Sequence, residues 1–502
     1  MPEPETPGAE ETRKPDADAK PVTPAPPVDD LVERSHQLSI GRRRRLDYTS
    51  RAGRVVLREE VVEDGKAQGH KPRATVFLTS YTLDGADPRE RPVVFAFNGG
   101  PGSSSVWLHL GLLGPRRVVT GDAGALTPPP YDLVDNAETL LAHADLVFID
   151  PVATGYSRAI DGEKVNEYHG FTRDLESVGE VIRLWASRNG RWMSPKFLAG
   201  ESYGTLRAAG LAAHLQQRHG MYLNGIILVS AVLDIGSIDA EEGNERPYPL
   251  YLPTYAAIAH YHGKHGDRPL EAVLAEATAY ATDEYPKVLA LGSRLGTTAR
   301  RRAVRRIAAL TGLSRDYVDR VDLRIEHIRF FTELMRDQGR SVGRLDGRFV
   351  GWEPDGGREH FSADPSMSAI TGPYTAAFNH YVRDELGYEN DLPYEILSLK
   401  AHEAWSYKEF EGKPISVTGR LGEAMRANPH LKVHVASGWY DGATPYFATE
   451  EVMAHVPIPD ELRGNVEYRY YPAGHMMYVH EPSRQEQSRD LAEFVERAAR
   501  GG

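Results

Sequence analysis

Apolar positions along this chain follow two different rhythms. Between residues 36 and 83 the runs HQLSI, RVVLREE and RATVFLTSYTL alternate apolar and polar side chains, with Gly, Ser and Asp between them. A period of two with short connections predicts antiparallel strands at one edge of a sheet. Short, almost wholly apolar runs then appear at residues 93–97, 146–149, 196–199, 226–229 and 431–436. Parallel strands buried on both faces have this pattern. Amphipathic stretches such as 172–188 and 205–218 lie between them and predict crossover helices.

The strand-helix rhythm stops near Asp234 and resumes near Leu431. The stretches between, DRPLEAVLAEATAYA, TTARRRAVRRIAAL and EHIRFFTELMRDQ, are helical in pattern. They predict a mainly helical cap inserted at the C-terminal edge of the sheet. The expected organisation is a core in two parts, residues 36–238 and 419–502, with the cap at 239–418. The fold class is α/β: a mostly parallel central sheet, an antiparallel N-terminal edge and the inserted cap. Within the cap, the basic run 300–306 reads as a solvated helix face beside Ile307 and Leu310 rather than as an anion site.

Composition narrows the function. A hydrophobic fraction of 41% in 502 residues suits a soluble chain with a large core. The net charge of -12 argues against nucleic acid as the main partner, because phosphate binding needs a basic face. No cysteine is present, which removes disulfides, thiol nucleophiles and Cys-ligated metals. Residues 1–35, rich in Pro, Glu, Asp and Ala, read as a disordered tail. That tail contains no apolar segment of signal-peptide type, and no run is long enough to span a bilayer, so the expected location is cytoplasmic, with no membrane partner.

Candidate chemistry centres on LAGESYGT, residues 198–205. Its core, Gly200-Glu201-Ser202-Tyr203-Gly204, falls between a strand-like run and a helical one. By itself Gly-x-Ser-x-Gly could be a polar loop, but a strand-to-helix setting makes Ser202 a candidate nucleophile on a sharp turn. The Tyr203 N–H, at the start of the following helix, is a candidate oxyanion donor. An acid and then a His should follow in chain order. Asp441, in the small-residue loop GWYDG after LKVHVASG, is favoured over Asp234, which better suits the start of the insertion. His475, in PAGHM after NVEYRYY, is the expected base, with His480 close by as an alternative. The Gly-rich NGGPGSSS, residues 98–105, follows a strand and can aim a second backbone N–H at the site, expected from Gly100. It lacks the Lys of a phosphate-binding loop.

NGGPGSSS, FIDPVATGYS, AGESYGT, SGWYDGATPY and AGHMMYVHEP occur in the order and character of the serine carboxypeptidase family, peptidase family S10, whose bacterial, cysteine-poor members the chain resembles most. The resemblance implies an α/β-hydrolase fold and metal-free, cofactor-free hydrolysis of the C-terminal peptide bond of peptides. It implies a catalytic set of Ser202, Asp441 and His475, with oxyanion N–H groups from Gly100 and Tyr203. It also implies that Asn98 and Glu201 bind the C-terminal carboxylate of the peptide substrate. Two carboxyl groups share a site when one keeps its proton, so Glu201 should have a raised pKa. Three positions depart from the family pattern. Ala96 replaces a Trp and predicts a more open wall at the carboxylate site, Leu112 replaces an acidic residue of many eukaryotic members, and Ser103 stands in place of a Cys. Alternatives on the same scaffold are an esterase or acyltransferase, and a non-catalytic binding protein.

Overall fold

A computed structural model describes residues 26–41 and 44–500. Nine strands make the backbone of the main sheet: β1 (Val32–Ile40), β2 (Arg44–Glu63), β3 (Lys66–Leu83), β4 (Val93–Phe97), β5 (Asp145–Ile149), β6 (Lys196–Ser202), β7 (Gly225–Ala231), β8 (Lys432–Gly438) and β9 (Val466–Tyr471). Their spatial order is β1-β2-β3-β5-β4-β6-β7-β8-β9, with the short Arg158–Ala159 also paired to β3. Pairing is antiparallel from β1 through β3 to β5 and parallel from β5 to β9.

The all-apolar central strands are explained by cover on both faces. Val94, Ala96, Phe148, Phe197, Ala199 and Val229 point into one core, with α6 (Pro365–Asp384) and α8 (Glu481–Ala499). Val93, Phe95, Phe97, Val147, Leu198 and Leu228 point into the other, with α1 (Phe171–Arg188), α2 (Tyr203–His219) and α7 (Thr418–Ala427). Alternate residues of one strand thus serve two cores, so apolar side chains fill most of these strands. This is the α/β-hydrolase fold.

The insertion has two destinations. Helices α3 (Pro247–Tyr261), α4 (Leu270–Thr282) and α5 (Thr297–Thr311) pack into a core of their own with Phe330 and Phe331. Helix α6, although inside the insertion, returns to cover the sheet through Ile370, Tyr374 and Phe378. The two ends of the insertion are stitched together by the Ile235 and Val417 N–H groups, which bond the Ile415 and Leu233 carbonyls, and Asp234 pairs with Arg246 at 2.8 Å at its entry. On α5, Arg300 pairs with Asp319 and Arg306 with Glu276, while Ile307 and Leu310 are buried. That basic run is a solvated, ion-paired face.

At the N-terminus the expected tail of residues 1–35 lies outside the described residues up to residue 25. Residues 32–35 correct it, because they open β1 and pair with residues 49–52 of β2. Composition alone missed this. The stretch VERS is polar because an exposed edge strand needs backbone pairing more than burial. Among the described residues no helix is long and apolar enough to cross a membrane.

One buried ion pair ties α1, α2 and the end of β4 together. Arg207 Nε donates to Asp174 Oδ2 at 2.7 Å, and its Nη1 donates to the Asn98 carbonyl at 2.6 Å. Arg207→Met leaves Asp174 as an uncompensated buried carboxylate and should cost about 3–5 kcal/mol of stability. Urea unfolding measures this; a loss under 1 kcal/mol would show that the pair does not hold the elements together.

Candidate active site

Strand β6 ends at Ser202 and helix α2 begins at the next residue, with no loop between them. Ser202 takes φ 58° and ψ -130°, a left-sided conformation that a non-glycine residue adopts only when its surroundings impose it. Those surroundings are backbone. A Cβ on Gly204 would sit 2.8 Å from the Phe97 carbonyl oxygen and 3.0 Å from that of Asn98. A Cβ on Gly99 would run into the Tyr203 nitrogen. The glycines of the two motifs are therefore one requirement, the close passage of the 98–105 loop over the Ser202 turn. Asp150 anchors the far end of that loop, accepting the Ser105 N–H at 2.8 Å and its hydroxyl at 2.7 Å.

On the other side, His475 Nδ1 donates to Asp441 Oδ2 at 2.9 Å. Both are buried, His475 to 4% exposure and Asp441 to 0%. Asp441 also accepts the Ala443 and Thr444 N–H groups at 2.9 Å each and the Thr444 hydroxyl at 2.7 Å. Burial opposes its ionisation, but the His475 charge and these hydrogen bonds outweigh burial and hold Asp441 below the usual carboxylate range. For His475, burial disfavours the imidazolium; Asp441, by its charge and its hydrogen bond, overcomes that and raises the pKa above its ordinary value. His480 is placed elsewhere, with Nδ1 on Ser483 and no contact to Asp441.

Glu201 is buried to 3% exposure beside this pair. Asn98 Nδ2 donates to its Oε1 at 2.9 Å and the Tyr478 hydroxyl to its Oε2 at 2.7 Å. Burial pushes its pKa up to about 7, against the smaller opposing pulls of His475, Tyr478 and Asn98. Asn98 is itself oriented by accepting the Leu108 N–H at 3.1 Å.

Asn98, Gly100, Glu201, Ser202 and His475 line one cavity of about 200 Å³, together with Trp107, Arg344, Met367, Ile370 and His402 among others. Asp441 stands behind His475, and Tyr203 opens α2 directly after Ser202. Five of the residues proposed from the sequence thus line one cavity, and Asp441 reaches it through His475. Ala96 is fully buried in the core that contains Trp107 and Tyr374, and Leu112 is buried there too. Sequence reasoning missed Thr444, Tyr478 and Arg344. Tyr478 lies inside AGHMMYVHEP, but nothing in a linear motif says that its hydroxyl reaches a Glu 277 positions away. Among the described residues no group of three or more His, Asp or Glu side chains is arranged to hold a metal ion.

Residues 73–277 match the family model described as serine carboxypeptidase. A stretch of 183 residues is 29% identical to lysosomal protective protein of Mus musculus, covering 36% of this chain and 34% of the relative, so the match spans about a third of that protein. The fold superposes on the crystal structure of KEX1(delta)p, a prohormone-processing carboxypeptidase from Saccharomyces cerevisiae. The TM-score is 0.53, at 13% identity over 90% of this chain and 91% of that one. At such identity the likeness is one of fold.

The Ser202 turn gives a direct test of the backbone argument. Gly204→Ala forces a methyl against two carbonyl oxygens and should cost about 1–3 kcal/mol, the usual range for overpacking. An unchanged urea midpoint would mean that the loop yields freely and does not hold the turn.

Proposed function

We propose that this chain, which belongs to the serine carboxypeptidase family, removes the C-terminal residue of peptides through an acyl-enzyme on Ser202. The observation that carries this reading is the pairing of two chemistries in one cavity. A Ser on a strained turn shares it with an Asp-backed His, and a buried carboxyl group held by Asn98 and Tyr478 lies alongside.

The steps follow from those positions. Ser202 Oγ attacks the scissile carbonyl carbon as its proton passes to His475 Nε2, and Asp441 stabilises the imidazolium without taking the proton. Negative charge on the former carbonyl oxygen is met by the Gly100 and Tyr203 N–H groups. Collapse breaks the C–N bond, and His475 returns the proton to the leaving amine. Water, activated by the same His475, then attacks the ester and frees Ser202.

Glu201 confines this to a chain end. With a pKa of about 7 it is neutral at lower pH, and its O–H can donate to a substrate carboxylate; ionised, it repels one. Affinity for free acids should therefore be full below pH 7 and fall as pH rises through that value. The catalytic step needs neutral His475, so kcat falls on the acid side instead.

Blocked dipeptides and their C-terminal amides, assayed from pH 4 to 8, test the proposal. Free acids should be cleaved much faster than amides at low pH, with KM for the acids rising above pH 7 and no such rise in Glu201→Gln. Ser202→Ala should be inactive, and Asp441→Asn should lose about 10⁴-fold in kcat. Equal rates on acids and amides would remove carboxylate recognition; unaltered activity in Ser202→Ala would remove the nucleophile.

A further inference from the structure

The cavity contains a cation that the chemistry above does not use. Arg344 comes from the insertion, and its backbone is fixed. Its N–H donates to Asp364 Oδ1 at 3.2 Å, its carbonyl accepts the Gly442 N–H at 3.0 Å, and the next carbonyl, of Leu345, accepts the His475 N–H at 2.6 Å. The side chain is half-buried and lines the same cavity as Ser202 and His475. Among the described residues its guanidinium has no ion pair or hydrogen bond to the protein. Three other half-buried arginines, Arg116, Arg246 and Arg324, each pair with two carboxylates, and Arg340 lies over the Trp352 ring. Its neighbour Arg348 is held by Asp346 at 2.6 Å.

Neither carboxyl group at the site pairs with Arg344. Asp441 is fully committed to His475, Thr444 and two backbone N–H groups. Glu201 already takes hydrogen bonds from Asn98 and Tyr478 on its two oxygens. The second basic group on the wall, His402, has Nδ1 3.2 Å from the Pro101 carbonyl, so that nitrogen carries the proton and the other is left for the cavity. A guanidinium in a small, partly apolar cavity is best satisfied by a carboxylate, which matches its planar donors two at a time.

We infer that Arg344 selects substrates with an acidic side chain, Asp or Glu, on a residue flanking the scissile bond. This rests on the carboxypeptidase reading, in which Asn98 and Glu201 take the chain-end carboxylate and leave Arg344 for a second one. Arg344 is then a specificity residue contributed by the insertion, placed by the same backbone that supports His475.

The test measures kcat/KM at pH 5.5 on blocked dipeptides with Glu, Gln, Leu or Lys at each of the two positions. A charge-assisted hydrogen bond predicts a preference for Glu over Gln of roughly 10- to 100-fold at one position. Arg344→Met should bring that ratio close to one, Arg344→Lys should keep part of it, and Arg344→Glu should favour Lys. Equal rates on Glu and Gln at both positions in the unsubstituted protein would overturn the inference while leaving the carboxypeptidase reading intact. So would an Arg344→Met variant that keeps the Glu preference but loses discrimination of acids from amides, because Arg344 would then be reading the chain end. No cleavage of any member would overturn the carboxypeptidase reading itself, and this inference with it.

Discussion

Ser202 occupies a backbone conformation, φ 58° and ψ -130°, that costs a non-glycine residue about 1–3 kcal/mol and persists only when its neighbours dictate it. Much else in the molecule serves that turn. The hydrogen-bond ladder of β6 fixes one side and the first turn of α2 fixes the other. The Phe97 and Asn98 carbonyls press on Gly204, and Arg207 reaches from α2 to the Asn98 carbonyl while pairing with Asp174 on α1. The turn exposes the Ser202 side chain and leaves the Tyr203 N–H at a helix start, where the dipole favours negative charge. Strain at one residue is thus offset by packing spread over four elements.

The electrostatics beside the turn depend on burial. Asp441 and Glu201 are carboxyl groups in one enclosed site, yet their environments push them apart. Asp441 accepts four hydrogen bonds, one of them from His475, and stays ionised. Glu201 accepts two, and desolvation dominates, so it holds its proton up to about pH 7. One carboxylate can then orient a base while the other remains neutral enough to sit near a further negative charge. Different pKa values arise because the His475 charge and the hydrogen-bond donors together outweigh desolvation at Asp441 and not at Glu201.

The insertion is more than a cover. Its 344–348 segment supplies the Leu345 carbonyl to the His475 N–H, and Asp346 accepts the Gly474 N–H at 3.1 Å. Gly474 and Gly438 have no room for a side chain, because Asp346 and the His475 loop lie against them. The loop carrying His475 is therefore moulded partly by residues 130 positions earlier. Arg344 enters the cavity as part of that same support.

Much of this was readable from the chain itself. The change from alternating to continuous apolar runs marked the switch from an antiparallel edge to a parallel sheet, because burial on two faces favours apolar side chains at successive positions. Gly-x-Ser-x-Gly between strand and helix, and Asp441 and His475 after later strands, were legible because each sits where a β-strand ends and its backbone is free to turn. Tyr478 on Glu201, Thr444 on Asp441 and the placing of Arg344 in the cavity were not. Each depends on which side chain fills a space between elements far apart in sequence, and a linear pattern encodes the period of burial but not the partner across it. The sequence determined the order of elements and the types of residue at the strand ends. The tertiary structure decided which donors surround each carboxyl group, and so which of the two keeps its proton.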